Sequence, residues 1–272
     1  MVDLDLTSAK SERVVEVRRL HDRRHREDRG AFVVEGPAGV EAALASGVAE
    51  LYVTPEAASR HGNLVAAARD GGARVWRVSD AVIAAMSQTQ QPQGIVAVAS
   101  LVTVPLDQVI AACGRPAGCL VVLDRVADPG NAGTVIRTAD AMGAAGVVLT
   151  EGSVDPHNGK CVRATAGSLF HLPVAADVPL NDIVRSVRES GILLVVADAH
   201  GAVELGTMGA DAVLDGRIAW VFGNEAHGVH ADFAAAAHES IAIPHYGSAE
   251  SLNMAAAAAV CLYATARAQR GG

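Results

Sequence analysis

Residues 118–137 read GCLVVLDRVADPGNAGTVIR: an unbroken apolar run ending at Leu123, a polar turn through Asp128, Pro129 and Gly130, and then the start of a helical pattern. A short continuous apolar run bounded by turn residues is the signature of a strand buried on both faces, and it predicts a parallel sheet within an α/β fold. The turn can aim free helix N–H groups at an anion, or it can be no more than a capped connection. Arg137 lies six residues after Asn131, near the first turns of the helix. There its planar, five-donor cation could reach back to the strand ends and meet a phosphate or a polarised ribose.

The alternation continues in both directions. Toward the C-terminus the apolar runs are AGVVLT, LPVAA, ILLVVAD, IAWVFG and SIAIP, with helices expected near Ala132–Met142, Lys160–Ser168 and Leu180–Ser190, and a closing Ala-rich helix over Ser251–Arg267. That last helix carries alanine on more than one face, so a close helix contact is expected, within the chain or across a dimer. Toward the N-terminus AFVVEG, ELYVT, RVWRVS and GIVAVAS alternate with helices near Pro37–Ala45, Gly62–Asp70 and Asp80–Met86. Pro105, Gly114, Pro116 and Gly118 punctuate the join. The expected layout is a small α/β domain over 1–104, a linker over 105–117 that overlaps one short helix, and a larger α/β domain over 118–272.

With 50% hydrophobic and 19% charged residues the chain has the composition of a globular protein. Its longest weakly polar stretch, Ala255–Ala266, is about half the roughly 20 residues of a membrane span. The N-terminus has acidic residues and no apolar signal core, so a cytoplasmic location and no membrane partner are expected. Cys113, Cys119, Cys161 and Cys261 lie mostly on apolar segments with no C-x-x-C spacing, and read as reduced core residues. His227 and His230 form an H-x-x-H pair, but the helical H-E-x-x-H spacing is missing, and no metal is expected.

A net charge of −8 argues against extensive phosphate contact, because such contact rests on Lys and Arg. The distribution softens the objection. Lys10, Arg13, Arg18, Arg19, Arg23, Arg24, Arg26 and Arg29 stand against five acidic residues between positions 10 and 29. That stretch reads equally as a solvated charged helix with i,i+4 pairs or as an RNA contact.

Two further polar islands interrupt the apolar pattern. Gly223-Asn224-Glu225-Ala226-His227-Gly228 follows the run IAWVF, and its glycines permit a sharp turn close to a ligand. Ser251-Leu252-Asn253 opens the last helix; Glu250 or Ser251 could be only a cap, whereas an amide inside an Ala-rich helix needs partners if buried. No G-x-G-x-x-G, no G-x-x-x-x-G-K-[ST] and no G-x-S-x-G accompanies these islands. Rossmann dehydrogenases, P-loop NTPases and ordinary α/β-hydrolases are therefore disfavoured.

Taken together, NAGTVIR (131–137), FGNEAHG (222–228) and IPHYGSAESLNMA (243–255) resemble, in order and spacing, the three motifs of the SpoU (TrmH-type) branch of the SPOUT RNA methyltransferases. The likeness covers 118–268. The N-terminal part resembles the L30e-like substrate-binding domain often fused to that branch, through Phe32-Val33-Val34-Glu35-Gly36 and Ser87-Gln88-Thr89-Gln90-Gln91-Pro92-Gln93-Gly94. The resemblance implies a parallel sheet with a trefoil knot, a homodimer, and S-adenosylmethionine as cofactor. It implies a cofactor site at Thr150, Glu151, Gly152, Phe222, Gly223, Asn224, Glu225, Ile243, Pro244, Ser251, Leu252 and Asn253, with Asn131, Arg137, Glu225, Ser251 and Asn253 as the catalytic set. It also implies methyl transfer to a ribose 2′-OH of structured RNA, ribosomal RNA being favoured over tRNA, with Lys10, Arg13, Arg18, Arg19, Arg23 and Arg24 on the RNA. A guanidinium stays protonated at neutral pH, so Arg137 is expected to stabilise an alkoxide rather than act as base. A non-catalytic RNA-binding or ribosome-assembly protein of this fold would be expected to lose Arg137, Asn253 or the Gly223-Asn224-Glu225 turn, and all are present.

Overall fold

The computed structural model describes residues 5–114, 117–224 and 227–271. They divide into two compact units, one of residues up to Val102 together with His157–His171, the other of Thr103–Pro156 and 172 onward.

The first unit is built on four strands, β1 (Ala31–Glu35), β2 (Val48–Val53), β3 (Arg74–Arg77) and β4 (Ile95–Ser100), in the order β1-β4-β2-β3. β4 runs antiparallel to both its neighbours and β2–β3 is parallel. The basic stretch forms two helices rather than one. Glu12–Arg19 is capped by Ser11 and buries Val14 and Val17; Arg23–Arg29 is capped by Asp22 and ends at Gly30 in the left-handed region. Arg26 is buried and donates to the carbonyls of Leu20 and His21, closing the corner between the helices. Of the six basic residues expected on RNA, Arg13 pairs with Glu50, Arg19 with Glu16, Arg23 with Glu27 and Arg24 with Asp28. Lys10 and Arg18 are exposed. The two exposed i,i+4 pairs, Arg23–Glu27 and Arg24–Asp28, contribute only about 0.3–0.5 kcal/mol each, but the four pairs together neutralise much of the local positive charge.

The segment 157–171 joins this unit although it comes later in the chain. Its helix Gly159–Thr165 packs on β1, and Phe32 is enclosed between His157 and Phe170, with ring centroids 4.7 and 6.0 Å away.

The second unit is a seven-stranded sheet, wholly parallel: β5 (Gly118–Leu123), β6 (Gly146–Thr150), β7 (Val174–Val178), β8 (Leu193–Ala197), β9 (Val203–Glu204), β10 (Arg217–Phe222) and β11 (Glu239–Ala242), in the order β7-β6-β5-β10-β8-β11-β9. Strand periodicity sends alternate residues to opposite layers. Leu120 and Val122 of β5 and Ala219 and Val221 of β10 pack with Val109 and Ile110 of the 106–112 helix, Ile183 and Val187 of the 180–189 helix, and Phe233. Full burial of each such aliphatic side chain stabilises the fold by about 1.5–3 kcal/mol. The expected connector at 105–117 thus contains a helix that belongs to this core.

Trp220 is fully buried, stacks on Phe222, and donates from Nε1 to Thr265 Oγ1 at 2.9 Å in the closing helix Met254–Gln269. That helix packs on Pro129–Met142, the close contact its alanines foretold. The four cysteines are buried and unbridged. Among the described residues no helix is long and apolar enough to cross a membrane, and no cluster of three His, Cys, Asp or Glu could hold a metal ion.

Candidate functional site

β5 lies in the interior of the sheet, with β6 on one side and the central strand β10 on the other. Chains leaving β5 and returning through β10 part at that point, which opens a crevice at the carboxyl ends of the strands. The polar turn after β5 delivers Pro129–Met142, whose N-cap Asp128 accepts from Asn131 N at 2.8 Å and whose first-turn proline has a φ suited to a helix start.

Asp124, directly after β5, is only 1% exposed. Its carboxylate accepts from His230 N at 2.7 Å and from Thr150 Oγ1 at 3.5 Å, and pairs with Arg125 at 3.3 Å. Arg125 is left-handed, with φ of 51°, a conformation disfavoured for a side chain with a Cβ. Both of its backbone groups are fixed: its N–H donates to Thr150 Oγ1 and its carbonyl accepts from Asn224 Nδ2, each at 2.8 Å. Thr150 therefore serves as a brace between β5 and β6. Glu151 and Gly152, beside it, are exposed.

The second island closes on itself. Asn224 and Gly228 exchange backbone hydrogen bonds, at 3.1 Å from Asn224 N and 2.8 Å from Gly228 N. A Cβ at Gly223 would fall 2.2 Å from the carbonyl carbon of Gly228 and 2.3 Å from Val229 N. Only glycine allows the two backbone segments this approach. Glu225, expected in both the cofactor and catalytic sets, lies outside the described residues.

Asn253 corrects the expectation of a helix running from Ser251. The helix starts at Met254, and Asn253 is its N-cap, with Oδ1 accepting from Ala255 N at 3.0 Å and Ala256 N at 3.3 Å. Its Nδ2 donates to Asn131 Oδ1 at 3.3 Å, so the first and third islands meet. Replacing Asn253 by alanine removes both links. The expected outcome is a stability loss of about 1 kcal/mol in urea unfolding, typical for a lost cap.

A cavity of about 370 Å³ opens here. Of the residues expected around the cofactor, Phe222, Gly223, Asn224, Ile243, Ser251, Leu252 and Asn253 line it, while Thr150, Glu151, Gly152 and Pro244 do not. Asp198, Val229, His245 and Met254 also line it and were not assigned to the site from sequence. Asp198 had a legible signal, since it ends the apolar run ILLVVAD as an acid at a strand's carboxyl end. Arg137 is exposed on the 129–142 helix and is not among the lining residues. The lining is apolar through Ile241, Ile243, Leu252 and Met254, and its polar side chains include Asp198, Asn224, His245, Ser251 and Asn253. A glycine-cradled, mostly apolar cleft with a carboxylate at a strand end suits an adenosine nucleoside with a flexible charged tail.

Residues 118–263 match the SpoU rRNA Methylase family, and residues 11–97 match the MRM3-like substrate binding domain. The chain belongs to the SpoU rRNA methylase family. It is 32% identical, over 95% of its length and 97% of the relative's, to the 23S rRNA (guanosine(2553)-2′-O)-methyltransferase RlmP of Bacillus subtilis. Among solved structures, the AdoMet-bound rRNA methyltransferase of Sinorhizobium meliloti is 32% identical with a TM-score of 0.84, covering 96% of both chains. The AdoMet complex of the SpoU methyltransferase AviRb from Streptomyces viridochromogenes is 28% identical with a TM-score of 0.82, covering 97% of this chain and 100% of that one.

Proposed function

We propose that this protein transfers a methyl group from S-adenosylmethionine to a ribose 2′-hydroxyl of large-subunit ribosomal RNA. The observation that carries the reading is the glycine-cradled crevice at the ends of β5 and β10, where the first and third islands of a SpoU chain meet. The relative from Bacillus subtilis acts on 23S rRNA, and two solved relatives bind AdoMet.

The backbone at Phe222–Asn224 and Ile243, with Ser251, Leu252 and Asn253, would hold the cofactor, and we extend the set to Asp198. Bound there, S-adenosylmethionine supplies an electrophilic sulfonium methyl. The protein's part is positioning: Asn131 and Asn253, each fixed by the other, would orient the ribose for in-line attack. Arg137 extends from the same helix as Asn131. Side chains of a helix lean toward its N-terminus, which brings a long guanidinium back toward the turn. There it would stabilise the alkoxide, while an RNA phosphate or water takes the proton. Glu225 remains part of this proposed set on its place in the motif.

Residues 1–104 would recognise RNA and residues 118–272 carry out catalysis, with the knotted connection of the family threading the second unit. A homodimer is supported by exposed apolar groups around the closing helix: Val260 is 40%, Tyr263 58% and Tyr246 95% exposed along one groove. The test is transfer of labelled methyl to purified ribosomal RNA and, separately, bulk tRNA. Label in ribosomal RNA alone, mapped to a 2′-O-methyl nucleotide, is the expected result. Binding of S-adenosylmethionine without label in either pool would overturn the proposal in favour of a binding protein.

A further inference from the structure

The basic helices of the first unit pair most of their cations with their own acids, but the edge strand β3 holds one that is left over. Arg74, the first residue of β3, is exposed and forms no ion pair among the described residues. Its guanidinium carbon lies 4.0 Å from the centre of the Trp76 ring. Trp76 is half-buried and stands two residues along, on the same face of the strand. The guanidinium carbon of Arg13, from the helix Glu12–Arg19, lies 4.5 Å from the same ring centre.

An indole attracts each cation, but two like charges gathered on one ring repel each other and call for counter-charge. Arg13 has its own, donating from Nη1 to Glu50 Oε2 at 2.6 Å. The β2–β3 register sets Glu50 opposite Arg74 as well, yet that same Oε2 accepts from the Tyr52 hydroxyl, and no bond joins it to Arg74. Arg74 is therefore a planar cation seated on an aromatic ring, with its charge unmatched and its side chain open to solvent.

We infer that Arg74, seated on Trp76, is a stacking platform for one unpaired base of the RNA, with its N–H groups donating to a neighbouring phosphate. Unstacked bases pack on guanidinium planes as well as on aromatic rings, and every base has a face to offer. A guanidinium already resting on a ring is preorganised for that contact, whereas an ammonium in its place would meet the phosphate but not the base. An acidic peptide would respond to the charge and be indifferent to the plane. The inference rests on RNA being the substrate, and it gives the first unit a contact that reads the face of a base as well as the charge of the backbone.

The experiment uses the full chain and fluorescein-labelled heptamers of adenosine, of uridine and of abasic ribose phosphate, titrated by fluorescence anisotropy. The adenosine heptamer is expected to bind about tenfold tighter than the abasic one, with uridine, a smaller ring, in between. Arg74→Lys is expected to narrow the gap between adenosine and abasic heptamers to about threefold or less while leaving abasic affinity unchanged. Arg77→Lys, on the same strand but its opposite face, is expected to keep the full gap, and an unchanged thermal melt certifies both variants. Because the base series is run on the unaltered protein, the inference does not depend on either variant folding. Equal affinity for intact and abasic heptamers, an unchanged gap in Arg74→Lys, an equal loss in Arg77→Lys, or no binding of any heptamer overturns the platform. Displacement of the adenosine heptamer by polyglutamate at matched charge overturns it in favour of an acidic protein partner. Methyl transfer to ribosomal RNA is scored separately, so its presence alongside any of those results removes this inference and leaves the proposed reaction standing.

Discussion

Arg137→Ala is expected to lower methyl transfer about 10²–10³-fold with no change in S-adenosylmethionine affinity or thermal stability. The magnitude is that of removing one preorganised donor from a developing oxyanion. The lack of side effects follows from position: Arg137 is exposed on the 129–142 helix and does not line the cofactor cavity. Alanine is also a better helix former than arginine, and surface substitutions away from special features stay within about 0.5 kcal/mol. Arg137→Lys separates charge from shape. It keeps a cation but loses the planar fork, so turnover is expected to recover only partly. Single-turnover transfer at saturating cofactor, read beside calorimetric binding, checks both variants; near-full turnover in Arg137→Lys would remove the guanidinium-specific role, and full turnover in Arg137→Ala would remove the residue from the reaction.

Gly223→Ala is expected to act in the opposite way, by damaging the binding site before any chemistry. The added methyl would sit 2.2–2.4 Å from the backbone of Gly228 and Val229. Those are main-chain atoms, so no rotamer change relieves the overlap, and the paired backbone of Asn224 and Gly228 must open. Forced overpacking costs about 1–3 kcal/mol, and this case belongs at the upper end because only the backbone can yield. In a unit of this size that is a fall in Tm of about 5–10 °C. Opening the turn also releases Asn224 from the carbonyl of Arg125 and displaces the cavity wall. S-adenosylmethionine affinity is therefore expected to drop at least about tenfold, with ribosomal RNA binding by the first unit retained. Calorimetry with cofactor and a thermal melt on the same sample test this, and wild-type affinity would show that the turn is not part of the cofactor site.

The sheet of the second unit was legible because its strands are runs such as CLVVL and IAWVF, apolar at every position, and such runs fit a sheet covered on both faces. Island by island the site was legible too, since each polar turn sits where a buried strand must end. Asn253 was placed one turn too deep because an amide before an Ala-rich run looks alike inside the helix or at its cap; the hydrogen bonds to Ala255 and Ala256 decide it. The basic stretch was harder, because sequence spacing shows i,i+4 partners but not Glu50, which lies 37 residues from Arg13. Glu35 was noticed only as part of a motif. That its Oε1 accepts from Arg163, 128 residues away, is a property of the folded chain alone. The short helices 208–214 and 231–236 were unforeseen, being too brief and too rich in alanine and glycine to show a period.

The return of residues 157–171 to the first unit has a bearing on how the protein is made. Phe32 is fully buried, and the rings that enclose it belong to His157 and Phe170. Domains generally fold as units, the N-terminal one first during synthesis. Here the rings that cover Phe32 are not available until some 70 further residues, which include β5 and β6, have been synthesised. The core around Phe32 is therefore completed only after part of the second unit has been synthesised.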